Sequence, residues 1–319
     1  MAAQAPARVV RPKRLFTICY YTFVAALLMA AWFLYRPTTF LRAYARARFA
    51  MAGAHSGIAQ AGSYRIHYYA AGSGRPIVLL HGMGGDALFW ADYLPTLTAH
   101  GRVYAIDLLG HGSSDHPDVD YRAALQAKVV HDFLDSQNIQ QADLVGVSMG
   151  AFVALHVARL WPDRVRRLVV ADSGGIIFDP SVPQPAFPQD VEAFRELMTP
   201  KRSWIGPFLV RDTLRRMQAQ RDVMQRILQV RNSGTDFVNG KLQSVNMPTL
   251  IIWGEQDLLT PLSWGKALHQ QVPQSTLVIL KGCGHIALYD CRTQALPQMQ
   301  SFLSSVRPES GGLRTISAE

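Results

Sequence analysis

The sequence predicts an α/β protein: a mostly parallel, doubly wound sheet with an inserted helical cap, preceded by one N-terminal transmembrane helix. Three observations carry this expectation. From Gly57 onward, short apolar runs alternate with amphipathic stretches, the pattern left by strands and crossover helices of a parallel sheet. The rhythm breaks once, between Gly174 and Asn246, where no clear apolar strand occurs. At the other end, the 21 residues from Leu15 to Tyr35 carry no charge.

Taken in chain order, the uncharged run comes first. At about 1.5 Å of rise per residue it spans a hydrocarbon core of roughly 30 Å, and Trp32 and Tyr35 near its end suit an interface. A cleaved signal peptide is the alternative. Its apolar core would exceed the usual stretch of about 7 to 15 residues, and the small-x-small candidate Ala43-Tyr44-Ala45 lies well past the run. A single-pass N-terminal anchor is therefore expected. Arg8, Arg11, Lys13 and Arg14 before the span are matched by Arg36, Arg42, Arg46 and Arg48 after it, so the positive-inside rule assigns no side of the membrane. Residues 40 to 50 suit either a basic amphipathic helix on an anionic lipid surface or a solvated connector.

Charge separates this leader from the rest. The formal net charge is +9, yet residues 1 to 85 hold ten Arg or Lys and no Asp or Glu, leaving −1 for the remainder of the 319 residues. A near-neutral body behind a basic leader points to a membrane partner and away from nucleic acid. Cys19, Cys283 and Cys291 have no metal-site spacing, so zinc is not implied; two free thiols at Cys283 and Cys291 are expected, with a bridge in an oxidising compartment as the alternative.

Candidate strands of the body are Tyr64 to Tyr69, Ile77 to Leu80, Val103 to Ile106, Asp143 to Val147, Val165 to Val170, Thr249 to Trp253 and Thr276 to Leu280. Inside the break, Pro180, Pro183, Pro185 and Pro188 precede helix-like segments 189–198, 207–218 and 220–231, which read as a cap. The chain divides into a basic leader (1–14), a transmembrane signal anchor (15–35), a juxtamembrane connector (36–61), a core in two pieces (62–173 and 247–305), the cap (174–246) and a flexible tail (306–319).

The chemistry begins at Gly146-Val147-Ser148-Met149-Gly150, which follows a strand and opens a helix. A sharp strand-to-helix turn strains the serine backbone and leaves glycine-sized room two residues either side, which Gly146 and Gly150 meet. The run Leu80-His81-Gly82-Met83-Gly84-Gly85 ends a strand in a loop able to approach a ligand, so the backbone N–H groups of Met83 and Met149 are the expected oxyanion donors. His81 and His111 read as loop braces. A serine hydroxyl needs a histidine to take its proton and a carboxylate to orient the imidazole. His285 and Asp257 both follow predicted strands, in the chain order Ser, acid, His; Glu255 and Asp172 are the rival acids.

LLHGMGGD, DLLGHGSSD, GVSMG, IIWGEQD and GCGH, met in that order over about residues 62 to 305, resemble the motifs of the α/β-hydrolase superfamily. With a membrane span ahead of them, the chain looks most like the membrane-anchored monoacylglycerol lipases and related bacterial lipases. Val147 departs from the polar residue many members carry there. The resemblance implies an α/β-hydrolase fold, a serine carboxylic-ester hydrolase without cofactor or metal, and catalysis through an acyl-enzyme on Ser148 with His285 and Asp257. It also implies an acyl pocket lined by Phe89, Trp90 and the cap, and a lipid-ester substrate met at the bilayer. Two rivals stand beside this reading. One is a C–C bond hydrolase of aromatic ring-cleavage products; the other is a catalytically silent binding protein of the same fold. Dehalogenases and epoxide hydrolases of this fold carry an aspartate where Ser148 stands.

Overall fold

The computed structural model describes residues 12–177, 191–198, 207–306 and 311–317, so most of the basic leader and the Pro180–Pro188 segment lie outside the described residues. The chain opens with helices α1 (Pro12–Tyr35) and α2 (Pro37–Met51), then strands β1 (His55–Ala61), β2 (Tyr64–Ala71) and β3 (Pro76–Leu80). A 3-10 turn over Ala87–Asp92 and the short α3 (Leu94–Leu97) lead to β4 (Arg102–Ile106), α4 (Ala123–Ser136), β5 (Ala142–Val147), α5 (Met149–Leu160) and β6 (Val165–Ala171). The cap supplies α6 (Val191–Met198), α7 (Pro207–Gln218) and α8 (Arg221–Ser233). The chain closes with β7 (Thr249–Gly254), α9 (Leu262–Gln271), β8 (Ser275–Leu280), α10 (Ala287–Asp290), α11 (Arg292–Ser304) and β9 (Leu313–Ile316).

Among the described residues nine strands form one sheet in the order β1-β2-β4-β3-β5-β6-β7-β8-β9, with the β1–β2 and β2–β4 pairings antiparallel and the other six parallel. The central parallel strands are largely apolar because both of their faces are covered. On β3, Ile77 and Leu79 enter one buried cluster while Val78 and Leu80 enter the other. The first cluster is shared with α2, the 3-10 turn, α3 and α11, the second with α4, α5 and α9. From β3 the chain steps outward to β4, then returns across β3 to β5. The order therefore reverses between β3 and β5, where the carboxyl ends of strands leave a crevice.

The helix α1 contains Phe16–Tyr35, which is long and apolar enough to cross a membrane and has none of its residues buried in the body. Arg36 alone separates it from α2, where Pro37 occupies the first turn, the place a missing N–H is tolerated. The segment drawn from sequence as a connector is more than that. Ala45 and Phe49 on α2 are buried against the body, Phe49 meeting Tyr69 at 4.7 Å between ring centroids. Residues 55–61, also assigned to the connector, form β1.

Two further expectations are corrected. Within the tail taken as flexible, residues 313–316 pair with β8 as an edge strand. Cys283 and Cys291 are not free thiols: they are bridged, with Cα atoms 6.2 Å apart, while Cys19 stays free and exposed on α1.

Candidate active site

Ser148 stands between β5 and α5 with φ of +53°, a left-handed value that a serine adopts only under constraint from its surroundings. The constraint is the tight turn. A Cβ on Gly146 would lie 2.4 Å from the Gly150 carbonyl oxygen, and one on Gly150 would lie 2.2 Å from that of Leu80. The Ser148 N–H donates to the Ala171 carbonyl at 2.9 Å, which ties the turn to the end of β6.

His285 and Asp257 converge on this turn from the ends of β8 and β7. His285 Nε2 lies 2.9 Å from Ser148 Oγ, and its Nδ1 lies 2.8 Å from Asp257 Oδ2. A carboxylate beside Nδ1 fixes the proton there, which leaves Nε2 as acceptor for the serine hydroxyl. Asp257 is itself held: its Oδ1 accepts the N–H groups of Leu259 and Thr260 at 2.8 Å each, and its Oδ2 accepts the Thr260 hydroxyl at 2.6 Å. His285 is 1% exposed and Asp257 5%, so the pair works in a low-dielectric setting.

The rival acids do other things. Glu255 is exposed and accepts the Gly282 N–H at 3.2 Å. Asp172 is fully buried with φ of +45°; its two oxygens accept the N–H groups of Gly254 at 2.8 Å and Ala287 at 3.0 Å. It thus clasps the end of β7, from which the Asp257 loop leaves, to the residue that follows the His285 loop. Burial, and then the charge of Asp257, push its carboxyl well above the usual carboxylate range despite the two N–H donors. Sequence reasoning had no signal for this bracing role, nor for Thr260.

The glycine loop after β3 reaches the serine, since a Cβ on Gly82 would lie 3.4 Å from Ser148 Cβ. Neither the Met83 nor the Met149 N–H has a backbone acceptor among the described residues, as an oxyanion site requires. His81 braces the loop, its Nδ1 donating to the Gly82 carbonyl (2.7 Å) and its Nε2 accepting from Leu108 N–H (3.0 Å). His111 is buried, and that burial, with the nearby charge of His81, holds its pKa down to about 3.

Two cavities meet at Ser148. A small one of about 90 Å³ runs beneath the cap past Phe152, Ile227, Phe237 and Trp264. A larger one of about 380 Å³ opens above the serine and is walled by the glycine loop, α6, α7 and, unexpectedly, α2 through Thr38, Leu41, Arg42 and Ala45. Phe89 and Val147 line it. Trp90 does not: it is 0% exposed and packs in the core against Phe89 and Tyr93, because neighbours on a 3-10 turn point in different directions.

The arrangement can carry out nucleophilic acyl chemistry: a hydroxyl aligned with a base, an oriented base, and unused N–H groups beside them. Comparisons agree on the framework. The sequence profile of the alpha/beta hydrolase family matches residues 77–296. The 2-hydroxy-6-oxo-6-(2'-aminophenyl)hexa-2,4-dienoic acid hydrolase of Metapseudomonas resinovorans is 28% identical over 258 residues, 76% of this chain and 89% of its own. Among solved structures, a membrane phospholipase A described as a bacterial virulence factor superposes with a TM-score of 0.74 at 23% identity, covering 91% of this chain and 98% of that one. A meta-cleavage product hydrolase from Pseudomonas fluorescens superposes with a TM-score of 0.70 at 22% identity over 79% and 98%. Likeness at these structural identities concerns the fold.

Proposed function

We propose a function from one premise: the chain belongs to the alpha/beta hydrolase family. It is a serine carboxylic-ester hydrolase acting on lipid esters, of monoacylglycerol-lipase or related type, and it needs no cofactor. Ser148 Oγ attacks the ester carbonyl as His285 Nε2 takes the hydroxyl proton, and Asp257 steadies the resulting imidazolium. The Met83 and Met149 N–H groups receive the oxyanion. His285 returns the proton to the departing alcohol, and a water activated by the same histidine then releases the carboxylic acid and restores Ser148.

The observation that carries the lipid reading is the wall of the larger cavity. The helix α2 follows the candidate membrane span after a single residue and lines the cavity above Ser148. An ester embedded in a bilayer meets such a cavity directly. A soluble substrate gains nothing from it. The Cys283–Cys291 bridge supports a body on the oxidising side of the membrane, since cytosolic thiols are kept reduced.

A panel of p-nitrophenyl esters from short to long acyl chains, run beside mono-, di- and triacylglycerols, tests the proposal. Long-chain preference with glycerolipid turnover supports it; a short-chain optimum without glycerolipid turnover overturns it. The second reading, a C–C bond hydrolase, is favoured by the likeness to the Metapseudomonas enzyme over 76% of this chain. Loss of dienoate absorbance on incubation with a ring-cleavage product would establish that activity in its place.

A further inference from the structure

Arg216 on α7 lines the larger cavity and has no hydrogen-bond acceptor among the described residues. Its nearest carboxylate oxygen is Asp86 Oδ2, at 3.8 Å, beyond bonding distance. Asp86 is already committed: its Oδ1 accepts the Leu88 N–H at 3.0 Å, capping the 3-10 turn, and its Oδ2 is paired with Arg42 from α2. Asp212, one turn earlier on α7, gives its Oδ2 to Thr38 and has Arg36 3.7 Å from its Oδ1. Arg195 of α6, on the same cavity wall, is paired with Glu192.

Arg42 and Arg216 therefore share one carboxylate, which leaves an excess positive charge in the cavity that holds Ser148 and His285. Burial, followed by repulsion from Arg42, lowers the Arg216 pKa against the pull of Asp86 and Asp212, the signature of a guanidinium short of an anion. The remaining wall is mostly apolar, with Leu41, Phe89, Val210, Met217 and Ile286. A cavity with a nucleophile, an apolar lining and an unfilled guanidinium fork fits an amphiphile whose anionic group is planar or tetrahedral oxygen chemistry.

We propose that the cavity selects lipid esters bearing a phosphate in the head group, held by Arg216 with Arg42, while the ester lies at Ser148. This rests on the lipid-ester reading of the same site and names its substrate class. The phosphate completes the donors of Arg216 and offsets the surplus charge. Charge-assisted hydrogen bonds of this kind are worth about tenfold to hundredfold in selectivity.

The test compares one 1-acylglycerol with its 3-phosphate, same acyl chain, in mixed detergent micelles, using the full chain and the variants Arg216→Gln and Arg216→Lys. The expected result is a kcat/KM ratio favouring the phosphate ester by about tenfold or more, abolished in Arg216→Gln and partly kept in Arg216→Lys. Equal turnover of both lipids, with a ratio that Arg216→Gln leaves unmoved, overturns the phosphate assignment and leaves the lipid reading standing. Turnover of neither lipid, with p-nitrophenyl acetate still cleaved, overturns the lipid reading itself. In a third arm inorganic phosphate is added. Inhibition by it as strong as by the phosphorylated lipid assigns the guanidinium to a free anion and overturns the head-group role.

Discussion

The Asp212 carboxylate on α7 accepts both the backbone N–H of Thr38 (3.1 Å) and its hydroxyl (2.6 Å), joining the cap to the helix that continues the candidate membrane span. Arg215 adds to the joint by stacking over Tyr35 at 4.8 Å, at the end of α1. The cap is thereby fastened to the candidate span and the helix that continues it, as well as to the body. Asp212→Ala removes two hydrogen bonds from the partly buried Thr38 to a carboxylate, which costs about 1 to 3 kcal/mol. Faster proteolysis within the cap, with the core left intact, is the expected result; a proteolysis rate equal to that of the parent would refute the fastening.

Ser148→Ala should abolish labelling by a fluorophosphonate, and His285→Ala should lower kcat by about the same factor as Ser148→Ala, on the order of 10⁶, with no further loss in the double variant. Asp257→Asn disturbs the His285 tautomer and should lower kcat by about 10⁴. Unchanged labelling of Ser148→Ala would place the nucleophile elsewhere.

Phe89 and Trp90, adjacent in sequence, should behave oppositely. Phe89→Ala changes a cavity wall and is expected to raise KM several-fold with little change in melting temperature. Trp90→Ala empties a fully buried site and should destabilise the fold by about 3 to 5 kcal/mol. Comparable melting losses in the two variants would contradict the assignment.

The Cys283–Cys291 bridge closes a loop that carries His285. Replacing both cysteines by serine should cost about 2 to 3 kcal/mol on the chain-entropy account and lower kcat more than it alters KM. Thiol counting on the denatured native protein should find one thiol before reduction and three after it. Three before reduction would exclude the bridge.

Acid should weaken the fold through histidines buried in the neutral form. His156 on α5 donates from Nε2 to the Asp236 carbonyl at 2.9 Å, and burial lowers its pKa from 6.5 to about 4 although that bond and the Asp236 charge raise it. The folded value lies below the unfolded one, so the unfolded chain takes up the proton first and stability falls as pH drops from about 6.5 toward 4. His111, held down to about 3, acts in the same direction. The His156 contribution is at most about 3 kcal/mol. His156→Gln should flatten the fall in melting temperature between pH 7 and pH 4.5; an identical fall in parent and variant would count against it.

The central strands and the serine turn are legible because their determinants are local: an apolar run for a strand buried on both faces, two glycines for a tight turn. The choice between Asp172 and Asp257 is not local. Both follow strands, and only the three-dimensional arrangement reveals one carboxylate facing an imidazole and the other clasping two backbone N–H groups. The strands β1 and β9 escaped notice because edge strands are held by backbone pairing; Ile58 is 54% exposed and Leu313 56%. The basic residues of α2 suit a lipid surface or a solvated connector equally, and nothing in the sequence signals that Arg42 and Arg48 pair with Asp86 and Asp92, acids more than 40 residues away along the chain.

The turn at Arg36 leads from the candidate span straight into the wall of the larger cavity. With the helix in a bilayer, Ser148 is held at a set height instead of swinging on a leash. Concentration then becomes a two-dimensional quantity. Turnover should follow the mole fraction of ester within the surface, falling when an inert amphiphile is mixed in at constant bulk molarity, and staying nearly constant per molecule when the whole suspension is thinned with buffer.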